Sequence, residues 1–253
     1  MAECPHGFLS ADKIHRVNLM KTLTKAVMAI ALTGTAAMSY AAEIDVEITN
    51  VTTGTYFTPL LIAAHSDNQV VFEPGAAATA ELQAMAEGGD ISGIAEALSA
   101  TGAVLEENPA AGLLMPGAST MVTLNTDNAS GNDYLSIVAM LLPTNDGFVG
   151  LTHWEIPTEP GVYPIALNAY DAGTEANDEI RGSGAPGEAG LPVPPPLEDM
   201  VGMGGTGVSA EAEGFVHVHR GVLGDGDDEG GMSDIGFSQR WLNPVAQVVV
   251  TVK

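Results

Sequence analysis

Oxygen-bearing side chains gather at three places in this chain. The first is Pro143-Thr144-Asn145-Asp146-Gly147-Phe148-Val149-Gly150. The second is Tyr170-Asp171-Ala172-Gly173-Thr174-Glu175-Ala176-Asn177-Asp178-Glu179. The third is Asp225-Gly226-Asp227-Asp228-Glu229, with Ser233 and Asp234 close behind. Calcium needs about six to eight oxygens from carboxylates, carbonyls and water. Loops that mix acid with glycine suit it, because glycine lets the backbone turn its carbonyls inward. None of the three clusters follows the EF-hand spacing. Asp, Asn and Gly also fill ordinary solvated turns, so spacing alone leaves both readings open.

A second kind of chemistry is offered by His217-Val218-His219 within an alternating segment. On a strand both imidazoles point to one face. Two histidines so placed hold zinc or copper when a third ligand arrives from elsewhere, and His65 and His153 are the available candidates. The plainer reading is a pair of exposed or hydrogen-bonded histidines beside an acidic loop. Signals for catalysis are weak. Gly-Xaa-Ser-Xaa-Gly is missing. Gly202, Gly204, Gly205 and Gly207 lack a strand-turn-helix setting and a P-loop lysine. Carboxylates are too abundant for any pair to stand out as acid and base. The residues therefore point to a binding module and not to an enzyme.

The elements that would position these groups are mostly strands. Residues 44–49 alternate apolar and polar, and 59–64 form a short apolar run. Residues 119–125 alternate imperfectly, whereas 134–142 are almost uniformly apolar, as a central strand buried on both faces would be. Further strands are expected at 161–169, 215–219 and 245–252. The first acidic cluster thus follows one strand directly and the second follows another. Between 79 and 98 the period changes to helical. Thr79 is placed to cap a helix carrying Leu82, Met85 and Ala86 and ending at Gly88-Gly89, and Asp90 or Ser92 to cap a second carrying Ile94, Ala95 and Leu98. Both read as excursions between strands and not as a helical layer. The Gly- and Pro-rich stretch 181–207 reads as an irregular loop. Trp154, Trp241, Tyr163 and Tyr170 read as core or corner aromatics. The expected fold is all-β, an antiparallel β-sandwich with short helical insertions.

Charge and the N-terminus bound where such a module works. Lys21 and Lys25 precede an apolar run from 26 to 37, and Ser39-Tyr40-Ala41 supplies small residues at an exit site. That is a secretory signal peptide over 20–41, with 1–19 a misassigned upstream extension and 42–253 the domain. The run is too short to span a bilayer. The single cysteine, Cys4, lies in the removed part, so thiolate sites and disulfides are excluded from the mature chain. Four of the 8 basic and two of the 32 acidic residues precede Glu43, so removal leaves four against thirty and a net charge of −26. A surface so acidic repels nucleic acid and anionic membranes.

The order of several motifs resembles that of a known family. These are Phe57-Thr58-Pro59 with Ala64-His65, the run from Leu82 to Gly88, Asn145 to Gly150, Tyr170 to Glu175, and Arg240-Trp241-Leu242-Asn243-Pro244-Val245-Ala246. Together they cover nearly all of 44–252 and resemble the spondin domain, the N-terminal module of the matrix proteins F-spondin and mindin, most of all its stand-alone bacterial versions. The resemblance implies a C2-like antiparallel sandwich with a calcium ion held by loop carboxylates, here Asp146, Asp171 and Glu175. Glu175 stands where the animal domains carry aspartate, Gly147 stands where they carry tryptophan, and their cysteines are absent. The function so implied is a secreted calcium-binding module that engages an extracellular protein or glycan. The alternatives are a structural surface or biofilm component indifferent to metal, and a metal-dependent enzyme using His217 and His219.

Overall fold

The computed structural model describes residues 43–126 and 131–253. The expected upstream extension at 1–19, the signal peptide at 20–41 and Cys4 lie outside the described residues. Among the described residues ten strands run in chain order: β1 (Glu43–Asn50), β2 (Tyr56–Phe57), β3 (Leu61–His65), β4 (Val104–Glu107), β5 (Ser119–Asn125), β6 (Tyr134–Leu142), β7 (Gly147–Glu155), β8 (Gly161–Asp171), β9 (His217–Val218) and β10 (Ala246–Val252). Two helices, α1 (Ala80–Gly88) and α2 (Ser92–Ser99), lie between β3 and β4.

Every strand pairing is antiparallel, in the order β4-β3-β6-β7-β8-β10-β1-β5, with β2 added to β6 and β9 to β8. The two ends of this path, β4 and β5, come into contact, so the sheet folds over on itself and nearly closes. That is the expected all-β antiparallel sandwich.

Alternation on each strand decides which residues the fold encloses. On β1, Ile44, Val46 and Ile48 are fully buried, and they pair across β10 with Val252, Val250 and Val248. Leu135, Ile137, Ala139 and Leu141 of β6 turn into this same interior, between the two halves of the sheet. The intervening Val138, Met140 and Leu142 turn the other way, into a second apolar cluster with Leu82 and Met85 of α1 and Ile94 and Leu98 of α2. The near-continuous apolar run of β6 is thereby explained, since both faces are covered.

The helices are therefore more than excursions: they roof the outer face of the β3-β6-β7 half. The buried stripe on each is the one that the periodicity indicated, and Thr79 accepts the Leu82 N–H at 3.2 Å as N-cap. Gly89 takes φ 71° as the left-handed C-cap. The glycine- and proline-rich stretch stays irregular but contributes Leu191, Leu197 and Val201 to the same outer cluster.

Three strands, β2, β4 and β7, were not anticipated from the sequence, and β7 begins at Gly147, inside what reads as an acidic loop. The segment expected as a strand at 215–219 pairs over two residues only.

Candidate functional site

At one end of β6 the chain turns through Thr144, Asn145 and Asp146, all buried, and enters β7 at Gly147. Thr144 holds the turn: its hydroxyl donates to the Leu141 carbonyl at 2.6 Å and accepts the Gly147 N–H at 3.0 Å. A Cβ at position 147 would lie 2.8 Å from Thr144 Oγ1 and 3.1 Å from His219 Cδ2, so glycine is the residue that fits. Register then fixes the neighbours. Gly147 pairs with Asp171 at the end of β8, and Asp171 pairs on its other side with His217 of β9. Asp146, Asp171 and both histidines are thus delivered to one end of the sandwich by strand pairing.

The 171–175 turn folds onto Asp146. Asp146 Oδ2 accepts the N–H groups of Thr174 at 2.8 Å and Glu175 at 3.0 Å. Its other oxygen, Oδ1, is buried with no hydrogen-bond partner. The Asp146 carboxyl is pushed up to about 7, first by burial and then by the Asp171 carboxylate, against the pull of the two N–H groups. Asp171 is 1% exposed and accepts the Gly173 N–H at 2.8 Å and the Asn177 amide at 2.7 Å.

Glu175 accepts the Asn145 amide at 2.9 Å and the Gly190 N–H on Oε1, while Oε2 is buried and unpartnered. Burial raises its pKa as well, and these two donors oppose the rise. Asn145 also donates to Asp178 at 2.7 Å, so one buried amide bridges two carboxylates of the second cluster. Among the described residues, no lysine or arginine forms an ion pair with Asp146, Asp171 or Glu175.

The third cluster is built differently. Asp225 accepts three backbone N–H groups, from Asp227, Met232 and Ser233, at 2.8–3.1 Å, and those bonds hold its pKa down. Asp234 accepts the N–H groups of Arg181 and Gly205, both at 2.8 Å. Glu179, the last residue of the second cluster and 3% exposed, is engaged in the same way, accepting from Leu223 N, Gly224 N and Ser233 Oγ. These carboxylates staple loops to one another, and their lone pairs are already engaged.

The two histidines face the same carboxylate. His217 Nε2 lies 3.6 Å from Asp171 Oδ1, and His219 Nε2 lies 3.9 Å from Asp171 Oδ2. Glu213, which the sequence did not single out, joins them, with Oε1 3.9 Å from His217 Nε2. Asp171, Glu213 and His217 bring one ligand atom each within 4.8 Å of one another.

His65 and His153 are not the third ligand. They sit at the far end of β6, clustered with the Tyr134 ring, and their ring nitrogens are engaged by Ser66, Ser136, Gln69 and Asp67. A nine-residue strand separates them from the histidine pair by roughly 27 Å at about 3.4 Å per residue. The aromatic expectation holds for Trp241, 8% exposed and packed on the His219 ring at 5.1 Å.

A family model described as Spondin_N matches residues 49–183, more than half of the chain. The matched segment contains Asp146, Asp171 and Glu175 and stops short of Glu213, His217 and His219. No curated protein matches the chain.

Proposed function

From the premise that this chain belongs to the spondin N-terminal domain family, an extracellular-type domain, we propose that it is a secreted calcium-binding module that engages an extracellular protein or glycan, and not an enzyme. The observation that carries the metal reading is the contrast between two sets of buried carboxylates. Glu179 and Asp234 have both oxygens bonded to N–H or O–H donors. Asp146 Oδ1 and Glu175 Oε2 are buried without any partner. A buried anionic oxygen without a donor costs free energy unless it is protonated or meets a cation. Asp146 and Asp171 lie side by side at the strand ends with no basic side chain between them, which is the charge arrangement that a divalent ion stabilises.

The donor type suits a hard cation. Asp146, Asp171 and Glu175 offer oxygens alone, and the 171–175 turn already wraps Asp146 through its N–H groups, which leaves Oδ1 available to an ion. Calcium held there neutralises the carboxylates and ties the turn after β6 to the turn after β8. These turns are hydrogen-bonded neighbours at one end of the sandwich, so ordering them firms the end that a partner would meet. In the secreted reading the export signal is the segment 20–41. No helix among the described residues is long and apolar enough to cross a membrane.

Calorimetric titration of the exported chain with calcium, paired with thermal melts in calcium and in chelator, tests the reading. The expected result is saturable binding and a rise in melting temperature, both abolished in Asp171→Asn and Asp146→Asn. Retention on a glycan or protein array only in calcium would extend it to the partner. Absence of binding and of any shift removes the metal from the function and leaves the structural-component alternative.

A further inference from the structure

We propose that Asp171, Glu213 and His217 form a transition-metal position of zinc's class, distinct in ligand chemistry from the all-oxygen calcium set although it shares Asp171 with it. The first support is the state of the His217 ring. Its Nδ1 lies 3.1 Å from the Val218 carbonyl oxygen. A carbonyl only accepts, so Nδ1 carries a proton, and in the neutral form of the ring Nε2 presents a bare lone pair. A ring anchored in this way through Nδ1–H to a carbonyl is how metal-binding histidines are held. That Nε2 is buried and has no hydrogen-bond partner.

The second support is distance. His217 Nε2 is 3.6 Å from Asp171 Oδ1 and 3.9 Å from Glu213 Oε1. Both are too long for hydrogen bonds. Ligands of a tetrahedral ion at 2.0–2.2 Å stand about 3.3–3.6 Å apart, so a contraction of a few tenths of an ångström brings the histidine to that spacing from each carboxylate, and all three ligand atoms already lie within 4.8 Å of one another. Glu213 Oε2 is also buried without a partner. The two carboxylates are held by one amide, since Asn177 Nδ2 donates to Asp171 Oδ2 at 2.7 Å and reaches Glu213 Oε1 at 3.4 Å.

His219 plays the opposite part. Its Nδ1 accepts the Gly221 N–H at 3.0 Å, so the neutral ring carries its proton on Nε2. That nitrogen belongs to a side chain 1% exposed and points at Asp171 Oδ2 from 3.9 Å, with no hydrogen-bond partner. With its proton there, His219 is no ligand; it is a positioning residue aimed at the shared carboxylate. The two histidines of one short motif are thus locked in opposite tautomers by their backbone partners.

The chain is shaped to bring these groups together. Gly173 has φ 68°, and a Cβ there would collide with the backbone of Phe215. Gly214 donates to the Gly173 carbonyl at 2.8 Å. This contact lays the 213–217 segment against the turn after β8, and it requires glycine. Imidazole favours zinc and its first-row neighbours, whereas calcium prefers oxygen. Glu213 and His217 fall outside the segment that the family model matches, and the position stands without the calcium reading.

The test uses Co2+ as a spectroscopic probe and Zn2+ as competitor, on the exported chain stripped with chelator. Expected is saturable Co2+ uptake with visible d–d absorption, displaced by Zn2+, and at least about tenfold weaker in His217→Gln and in Glu213→Gln. Gly173→Ala, in which none of the three ligands is altered, should weaken it as well. Chelator melts of each variant establish that the fold is intact. Calcium affinity is measured in parallel. Cobalt binding that survives His217→Gln but is lost in Asp146→Asn places the ion among the carboxylates alone and overturns the proposal. The absence of saturable Co2+ or Zn2+ binding overturns it too, whatever calcium does. Calcium indifference with His217-dependent cobalt binding sinks the calcium reading and leaves this one standing.

Discussion

Asp146→Asn separates the cost of the buried charge from the benefit of a metal. The Asp146 carboxyl, ordinarily near 3.8, is raised to about 7 by burial and by Asp171. A carboxyl raised in the folded state binds its proton more tightly there than in the unfolded chain. Between about pH 4 and pH 7 the metal-free protein therefore loses stability as pH rises, and above 7 the loss is complete. At about 1.36 kcal/mol per pH unit, the interval from 3.8 to about 7 sets an upper figure of about 4 kcal/mol. Asparagine keeps an acceptor for the N–H groups of Thr174 and Glu175 and carries no charge. In chelator at pH 8, Asp146→Asn should thus melt above wild type, by several degrees at about 2–4 °C per kcal/mol for a domain of this size. At pH 5 the difference should shrink. In saturating calcium the order reverses, because only wild type gains from the ion. Calorimetric or circular-dichroism melts at both pH values, with and without calcium, read all of this. A variant less stable than wild type in chelator at pH 8 would refute the view that the buried charge lacks a partner in the metal-free protein.

Glu179→Ala leaves Leu223 N, Gly224 N and Ser233 Oγ without their acceptor. At about 1–3 kcal/mol for each buried group, urea unfolding should show a loss of about 3 kcal/mol or more with calcium affinity unchanged; lost calcium binding at unchanged stability would make it a ligand. Gly173→Ala should cost about 1–2 kcal/mol from its left-handed φ of 68° alone, with more from the Phe215 contact, measured by the same unfolding curves. His65 is lowered from 6.5 by burial, against the Ser66 carbonyl and with the help of His153. Its contribution to stability is present above pH 6.5 and is lost as pH falls below it. Unfolding free energies at pH 7 and pH 5 should therefore fall further for wild type than for His65→Gln.

Much of the frame was legible from local pattern. Residues 119–125 and 134–142 form strands with those bounds, because alternation and continuous apolar runs record which faces are covered. Thr79, Gly89, Leu82 and Leu98 announce the helices and their buried stripe, because caps and a period of 3.6 are properties of a few neighbouring residues. The facing of His217 and His219 toward one side follows from their spacing alone. Strand β7 was hidden. Gly147 follows three polar turn residues, and Gly150 exists to admit the Phe72 ring, whose Cζ would stand 2.6 Å from a Cβ there. Glycine read locally signals a loop, and the packing that requires it comes from residues far away in the chain.

The site shows the same division. Acid and glycine after two strands marked the clusters, the resemblance to the spondin domain singled out Asp146, Asp171 and Glu175 within them, and the register of β7, β8 and β9 placed Asp146, Asp171 and the histidine pair at one end of the fold. Which acids have free oxygens was decided only in three dimensions. Glu179 and Asp234 look as ligand-like in sequence as Asp146 does, yet their donors come from loops 44 to 54 positions away for Glu179 and from residues 181 and 205 for Asp234. Glu213 meets Asp171 and His217 because Gly173 lets a distant segment approach at backbone contact. Sequence records composition, period and turn chemistry, all set by neighbours within a few residues. The charge state and partners of a buried carboxylate depend on who arrives across space, and that is settled by the tertiary fold.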